Sequence, residues 1–326
     1  MRVGMLGTVD HISLFAPEAA ESADVDFVGI AEPEEARGKP LAEKHSTRFY
    51  TTTEALLSEK LDAVGVFTPF HSRADDIVTC LEAGLHVFTD KPAATNARGL
   101  ARISKALGAR PELVFTMGLT LRVTPEYMKV KELVDGGFVG KVVQINARRA
   151  YRLRRATRPQ FMFDSSLSGG IWVELAVHDV DCIRWITAAE YLSVTATHGN
   201  ISSPTEPYQD HGSGLFVMER GITVFVEHNR LVPGVGDGSD NRLHIVGSQG
   251  LIDLGPGSEL SAWNGTQGRA VVTDLPARPS MFRNFVSAVT RGEALIAPAR
   301  DVLRATEAVL AAFSSAEKGG RREKLA

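Results

Sequence analysis

Cysteine is scarce in this chain: two residues in 326, Cys80 and Cys182. That excludes a disulfide-stapled scaffold. Neither stands at metal-ligand spacing, so both read as reduced packing residues, no metal is expected, and the expected location is cytoplasmic. Long apolar runs are also lacking. Nothing approaches the roughly 20 consecutive apolar residues of a membrane-spanning helix. The chain opens on strand-like Met1-Arg2-Val3-Gly4-Met5-Leu6 rather than on a secretory core, so no membrane partner is expected. An excess of positive charge is missing too. The 36 Lys and Arg stand against 39 Asp and Glu, net -3, which leaves no electrostatic footprint for nucleic acid. Internal repeats and low-complexity tracts are absent, which excludes solenoids and disordered arrays.

What is present is an ordinary globular composition, 44% hydrophobic and 23% charged, over a length that reads as two domains, 1–120 and 121–326. In the first, Arg2–Leu6, Val25–Ala31, Ala63–Thr68, His86–Thr89 and Leu113–Gly118 read as strands, with helical patterns between most of them. This alternation predicts an α/β, doubly wound parallel sheet with ligands in the crevice beyond the carboxyl ends of its strands. Beyond Tyr191 the pattern turns to β: Tyr191–His198, Ser213–Met218, Ile222–His228, Leu243–Val246, Leu251–Leu254 and Ala270–Thr273. With Lys141–Arg149, and helices over Arg278–Thr290 and Asp301–Ala316, these predict an α+β domain with a large, mostly antiparallel open sheet. Val224, Val226 and His228 alternate with Phe225, Glu227 and Asn229, as in a sheet whose outer face is covered by a partner.

The strand ends carry the candidate chemistry. Gly7-Thr8-Val9-Asp10-His11-Ile12 follows the first strand, where a dinucleotide-binding loop would read G-x-G-x-x-G, and only the first glycine is there. Val9 puts a branched side chain where the backbone should approach a pyrophosphate. Asp10 is expected to cap the next helix and so to compete with phosphate for its N–H groups. Glu32 ends the second strand at the distance where an acid holds ribose hydroxyls, which favours NAD over NADP; Arg37 leaves room for NADP, and a turn acid in the series Glu32, Glu34, Glu35 is the alternative reading. Thr68-Pro69-Phe70-His71 and Asp90-Lys91-Pro92 leave two further strands. Pro92 biases Lys91 toward extended backbone, holding it at the crevice where an ammonium can meet a substrate oxygen. A surface lysine before a loop is the commoner fate.

A second stretch is helical, with Gly169-Gly170 at its entrance. Glu174, His178 and Asp181 line one face among Trp172, Val173, Leu175, Val177, Val180 and Ile183. Such a seam is either a wet helix face or a carboxylate–imidazole pair set into an apolar wall for proton transfer. The helix by itself does not choose. Nor does the arginine run Arg148, Arg149, Arg152, Arg154, Arg155 and Arg158, which suits a solvated loop or an anionic substrate.

Asp62 to Ala94 (DAVGVFTPFHSRADDIVTCLEAGLHVFTDKPAA) closely resembles the Gfo/Idh/MocA oxidoreductases, the family of inositol dehydrogenase and glucose–fructose oxidoreductase, with Asp90-Lys91-Pro92 standing for its Glu-Lys-Pro. Leu121-Arg122-Val123-Thr124-Pro125 is similar to the family's arginine before a helix, and Gly136 to Val143 to its glycine turn into the second domain. Gly169-Gly170 followed by Glu174, His178 and Asp181 is similar to its Gly-Gly…Asp-x-x-x-His-x-x-Asp signature, with Glu in place of the first Asp. The resemblance implies a Rossmann domain binding NAD (or NADP) through Gly7, Thr8, Val9, Glu32, Thr68, Pro69, His71, Asp90 and Lys91. It also implies catalysis by Lys91, which would bond the reacting hydroxyl, and His178, which would take its proton, with Glu174 orienting one of them. Arg122, Arg152 and Asp181 become candidate substrate contacts. The implied reaction is hydride transfer between the nicotinamide and a sugar, polyol or sugar derivative, in a homodimer or homotetramer built through the open sheet. Two alternatives stand beside it: an NAD-dependent glycoside hydrolase or eliminase with transient internal redox, and a non-catalytic binding relative.

Overall fold

The computed structural model describes residues 1–233 and 238–325. Two compact units divide the chain, Met1–Leu119 with Pro279–Leu303, and Thr120–Arg278 with Arg304–Ala326.

In the first unit, strands β1 (Arg2–Leu6), β2 (Asp26–Ala31), β3 (Arg48–Tyr50), β4 (Ala63–Val66), β5 (His86–Thr89) and β6 (Phe115–Met117) alternate with helices α1 (Ile12–Glu21), α2 (Glu35–Lys44), α3 (Thr53–Leu57), α4 (Phe70–Glu82) and α5 (Ala97–Ala109). The sheet runs β3-β2-β1-β4-β5-β6 and is parallel throughout. All four residues of β4 are buried, as a strand covered on both faces requires. Chain order reverses between β1 and β4, the switch point at which a doubly wound sheet opens a crevice. Strand β3 escapes the sequence pattern because three edge residues, Arg48 exposed and the other two half-buried, carry no measurable period.

The second unit holds α6 (Pro125–Asp135), β7 (Val142–Ala150), α7 (Ser165–Ser168), α8 (Val177–Thr187), β8 (Tyr191–Gly199), β9 (His211–Met218), β10 (Thr223–Asn229), β11 (Arg242–Gly247), β12 (Gly250–Leu254), β13 (Leu260–Asn264) and β14 (Ala270–Val271). After it the chain forms α9 (Met281–Arg291), α10 (Ala299–Glu317) and β15 (Glu323–Lys324). The nine-stranded sheet runs β14-β13-β12-β11-β7-β10-β9-β8-β15, antiparallel except where β10 lies parallel to β7. The fold class is thus α/β, with one parallel six-stranded sheet and one mostly antiparallel nine-stranded sheet. The alternation in β10 is realised: Val224, Val226 and His228 are buried while Phe225 is 46% exposed.

The expected second domain ran unbroken from 121, and the structure corrects this. Helix α9 belongs to the first unit because its apolar stripe packs there, with Phe282 and Phe285 at 5.7 and 5.8 Å from the Phe88 ring of β5. Among the described residues, no helix is long and apolar enough to cross a membrane.

Candidate functional site

In the first unit the loop after β1 turns on Gly7, at φ 77°, where a Cβ would lie 2.5 Å from the Phe67 carbonyl oxygen. Only glycine makes this turn without displacing backbone. Val9 does not obstruct the loop as expected: it is 3% exposed, packed into the core, with its N–H on the Phe67 carbonyl at 2.9 Å. Asp10 does not cap α1 either, whose first turn has no side-chain cap. Its carboxylate accepts instead from Lys91 Nζ at 2.6 Å. Asp10 therefore leaves the first amides of α1 free of its own carboxylate, while the His11 amide at the N-cap donates to Asp90.

Glu32 closes β2 with its side chain 3% exposed. Its carboxylate accepts from Thr8 Oγ1 at 2.7 Å, Arg37 Nη2 at 2.9 Å and the Glu34 amide at 3.1 Å. Burial alone would raise its carboxyl, but the Thr8 and Arg37 hydrogen bonds bring it below the ordinary value, so it stays ionised. At the ends of β4 and β5, Thr68 is buried, Pro69 is the N-cap of α4, and His71 is exposed in its first turn. Asp90 is wholly buried and accepts from the Lys91 amide at 2.7 Å and the His11 amide at 3.0 Å. Lys91, 5% exposed, precedes a cis peptide bond to Pro92. Asp10, His11 and Asp90 bring ligand-type atoms within 4.8 Å of one another. With the Lys91 ammonium on Asp10, the group is an ion-pair network.

Sequence reading missed Arg73. Fully buried, it donates to the Thr68 carbonyl at 3.0 and 2.7 Å and to the Lys91 carbonyl at 2.7 Å, joining the two strand-end loops. The available signal was a charged residue on the apolar stripe of α4, one turn before Ile77.

In the second unit, Gly169 ends α7 at φ 79°, and a single π-helical turn, Trp172–Ala176, leads into α8. Such turns recur at functional sites because they re-aim side chains within a helix. The polar seam is not wet. The Glu174 side chain is 9% exposed, and its Oε1 accepts from Arg158 Nη1 at 2.6 Å and also from Arg230 Nη2. Arg230, just past β10, is a partner that no sequence spacing reveals. His178, second residue of α8, is half-buried. Arg152 is half-buried beside Leu231 through an isolated β-bridge.

Arg122 and Asp181, expected as substrate contacts, are found paired with each other. They face each other as a bidentate pair at 2.8 and 2.7 Å, each side chain 1% exposed, which makes them an internal tie between the turn before α6 and α8. Arg149 and Asp179 form a similar buried pair, both bonds 2.7 Å, joined by His228. Burial would raise the Asp179 carboxyl, but the Arg149 guanidinium holds it well below the usual carboxylate range.

Residues 1–117 match the model of an oxidoreductase family with an NAD-binding Rossmann fold, and residues 127–253 that of the GFO/IDH/MocA C-terminal domain. Inositol 2-dehydrogenase 2 of Saccharopolyspora erythraea is 30% identical over 303 residues, covering 90% of this chain and 85% of that protein. The chain belongs to the GFO/IDH/MocA oxidoreductase family. The scyllo-inositol 2-dehydrogenase (NAD(+)) of Bacillus subtilis is 29% identical over 206 residues, 62% of this chain and 57% of that protein. The aldose-aldose oxidoreductase of Caulobacter crescentus superposes with TM-score 0.84 at 19% identity, over 100% of this chain and 99% of that one, a likeness of fold. This GFO/IDH/MocA member is an NAD-binding oxidoreductase. The Gly7 turn and the ionised Glu32 fit the dinucleotide. Neither the hydrolytic nor the non-catalytic alternative is favoured, since both relatives above are dehydrogenases.

Proposed function

We propose that this enzyme oxidises a CH–OH group of a sugar, polyol or sugar derivative and reduces the corresponding carbonyl in reverse. The supporting observation is Lys91: a buried lysine at the end of β5 whose ammonium is held by Asp10, in the loop that follows β1. NAD, when bound, accepts or returns the hydride. The turn built on Gly7, Thr8 and Val9 would aim the start of α1 at its diphosphate, Glu32 would take its ribose hydroxyls, and Thr68, Pro69, His71 and Asp90 the remaining strand-end contacts. Lys91 is assigned the hydrogen bond to the reacting oxygen, steadying its alkoxide character, and His178 the proton. Glu174 acts indirectly, holding Arg158 and Arg230. Arg152 is retained as a substrate contact. Incubating enzyme and NAD with polyols, sugars and glycosides, while following NADH absorbance and released aglycone, tests this. NADH without aglycone is expected; aglycone without NADH would overturn it.

The open face of the second unit's sheet supports self-association as a homodimer or homotetramer. Neighbouring Leu215 and Phe225 are 37% and 46% exposed there, beside a depression of about 660 Å³. Light scattering on a Phe225→Glu variant should show smaller particles, and a wild-type monomer would sink the idea. A cytoplasmic location agrees with the two unbonded cysteines; burial pushes the Cys80 thiol up to about 12, leaving it inert. Recovery in another cell fraction would refute that placement.

A further inference from the structure

The loops after β1 and β5 exchange carboxylates. Asp10, of the first loop, accepts from Lys91 Nζ of the second at 2.6 Å. Asp90, of the second loop, accepts from the His11 amide of the first at 3.0 Å and meets the His11 Nδ1 at 3.1 Å. The contacts are sheltered: side-chain exposure is 17% for Asp10, 7% for Lys91 and 0% for Asp90. The Phe70 ring lies 5.5 Å from the same ammonium.

Asp10 holds this place at φ 62°, a left-handed conformation that glycine adopts freely and aspartate tolerates less readily. A non-glycine residue kept at such a backbone position points to a use for its side chain. Here the use is visible, since the carboxylate reaches a residue 81 positions away. A lysine ammonium ends a flexible four-carbon stem and takes a defined position only when partners hold it.

Resting on the reading that Lys91 meets the reacting oxygen, we propose that Asp10 is a positioning residue for Lys91. The Asp10 carboxylate sets where the ammonium stands, and the Asp90–His11 tie keeps that carboxylate in place. The loop is thereby both dinucleotide turn and lysine mount, so glycine placed at Asp10 would relieve the left-handed backbone and remove the mount.

The test is a set of full-length Asp10→Asn, Asp10→Gly and Asp10→Glu variants beside Lys91→Ala. Asn and Gly should each lower kcat by about 10- to 100-fold, the scale of a catalytic group displaced by about 1 Å, with NADH Kd, read by fluorescence, and substrate KM changing little. Glu, which retains the charge, should recover part of the loss. Without any turnover, acylation of Lys91 by an amine-reactive reagent, quantified by mass spectrometry against exposed Lys39, should rise several-fold in the Asn and Gly variants. A Gly variant with full kcat, or unchanged Lys91 labelling in Asn and Gly, overturns the proposal. If Lys91→Ala itself retains turnover, the reading of Lys91 at the reacting oxygen fails; an inert Asp10 beside an essential Lys91 defeats this inference alone.

Discussion

The Arg73 guanidinium donates to the backbone carbonyl of Lys91 at 2.7 Å, so the residue proposed to meet the substrate is held from behind by a second cation. The same guanidinium holds the Thr68 carbonyl. Arg73→Met would strand both carbonyls in a dry interior, where each bond to a charged donor contributes about 1.5–3 kcal/mol. A lower Tm together with a lower kcat is expected. Arg73→Lys should recover little of either, because an ammonium lacks the planar fork that spans two loops. Thermal melting and NADH production read the two effects separately.

Lys91→Ala should lower turnover by about 100-fold or more while NADH affinity moves little, since the lost interaction belongs to the reacting oxygen. Fluorescence titration and initial rates check this, and an unchanged rate would refute the role.

His178→Asn keeps much of the side-chain volume and removes the base. A fall in kcat of about 10²- to 10⁴-fold is expected, with cofactor affinity retained. Wild-type turnover at every pH would count against it.

Asp181→Asn breaks the pair with Arg122, whose side chains are each 1% exposed. Leaving a buried guanidinium without its counter-charge costs about 3–5 kcal/mol, so the variant should melt well below wild type while binding NADH normally once folded. Loss of NADH binding at unchanged Tm would restore Asp181 to the ligand-facing residues.

His11 links stability to pH. Burial works to lower its pKa, but the charge and hydrogen bond of Asp90 outweigh burial and the opposing charge of Lys91, with Asp10 adding to the effect, so it stands above the ordinary 6.5. A raised folded-state value means the tie contributes fully below that ordinary value and is lost as pH rises through the raised one. The Tm difference between wild type and His11→Asn should be largest in mildly acidic buffer and shrink as pH rises. A difference that grew with pH would contradict the assignment.

Some of this was open to reading in one dimension, and the reason is local. Buried parallel strands make short apolar runs, so β1, β2, β4, β5 and β6 stand out in the sequence, and their carboxyl ends locate Gly7, Glu32, Thr68 and Lys91. Helical spacing likewise put Glu174, His178 and Asp181 on one face. What spacing could not tell was the company those side chains keep. Asp181 proved to be Arg122's partner and Glu174 the anchor of Arg158 and Arg230, groups 59, 16 and 56 residues apart, beyond the reach of any helical spacing.

By itself the sequence determined the two kinds of sheet, the strand ends that carry chemistry and the departure from a glycine-rich loop, all consequences of local period and backbone preference. Only the tertiary structure decided that Asp10 serves Lys91 instead of capping α1, that α9 packs on the first unit and that Arg73 ties two loops. Charges find their partners through long-range folding, and no rule of neighbouring residues encodes which distant group will lie within 3 Å.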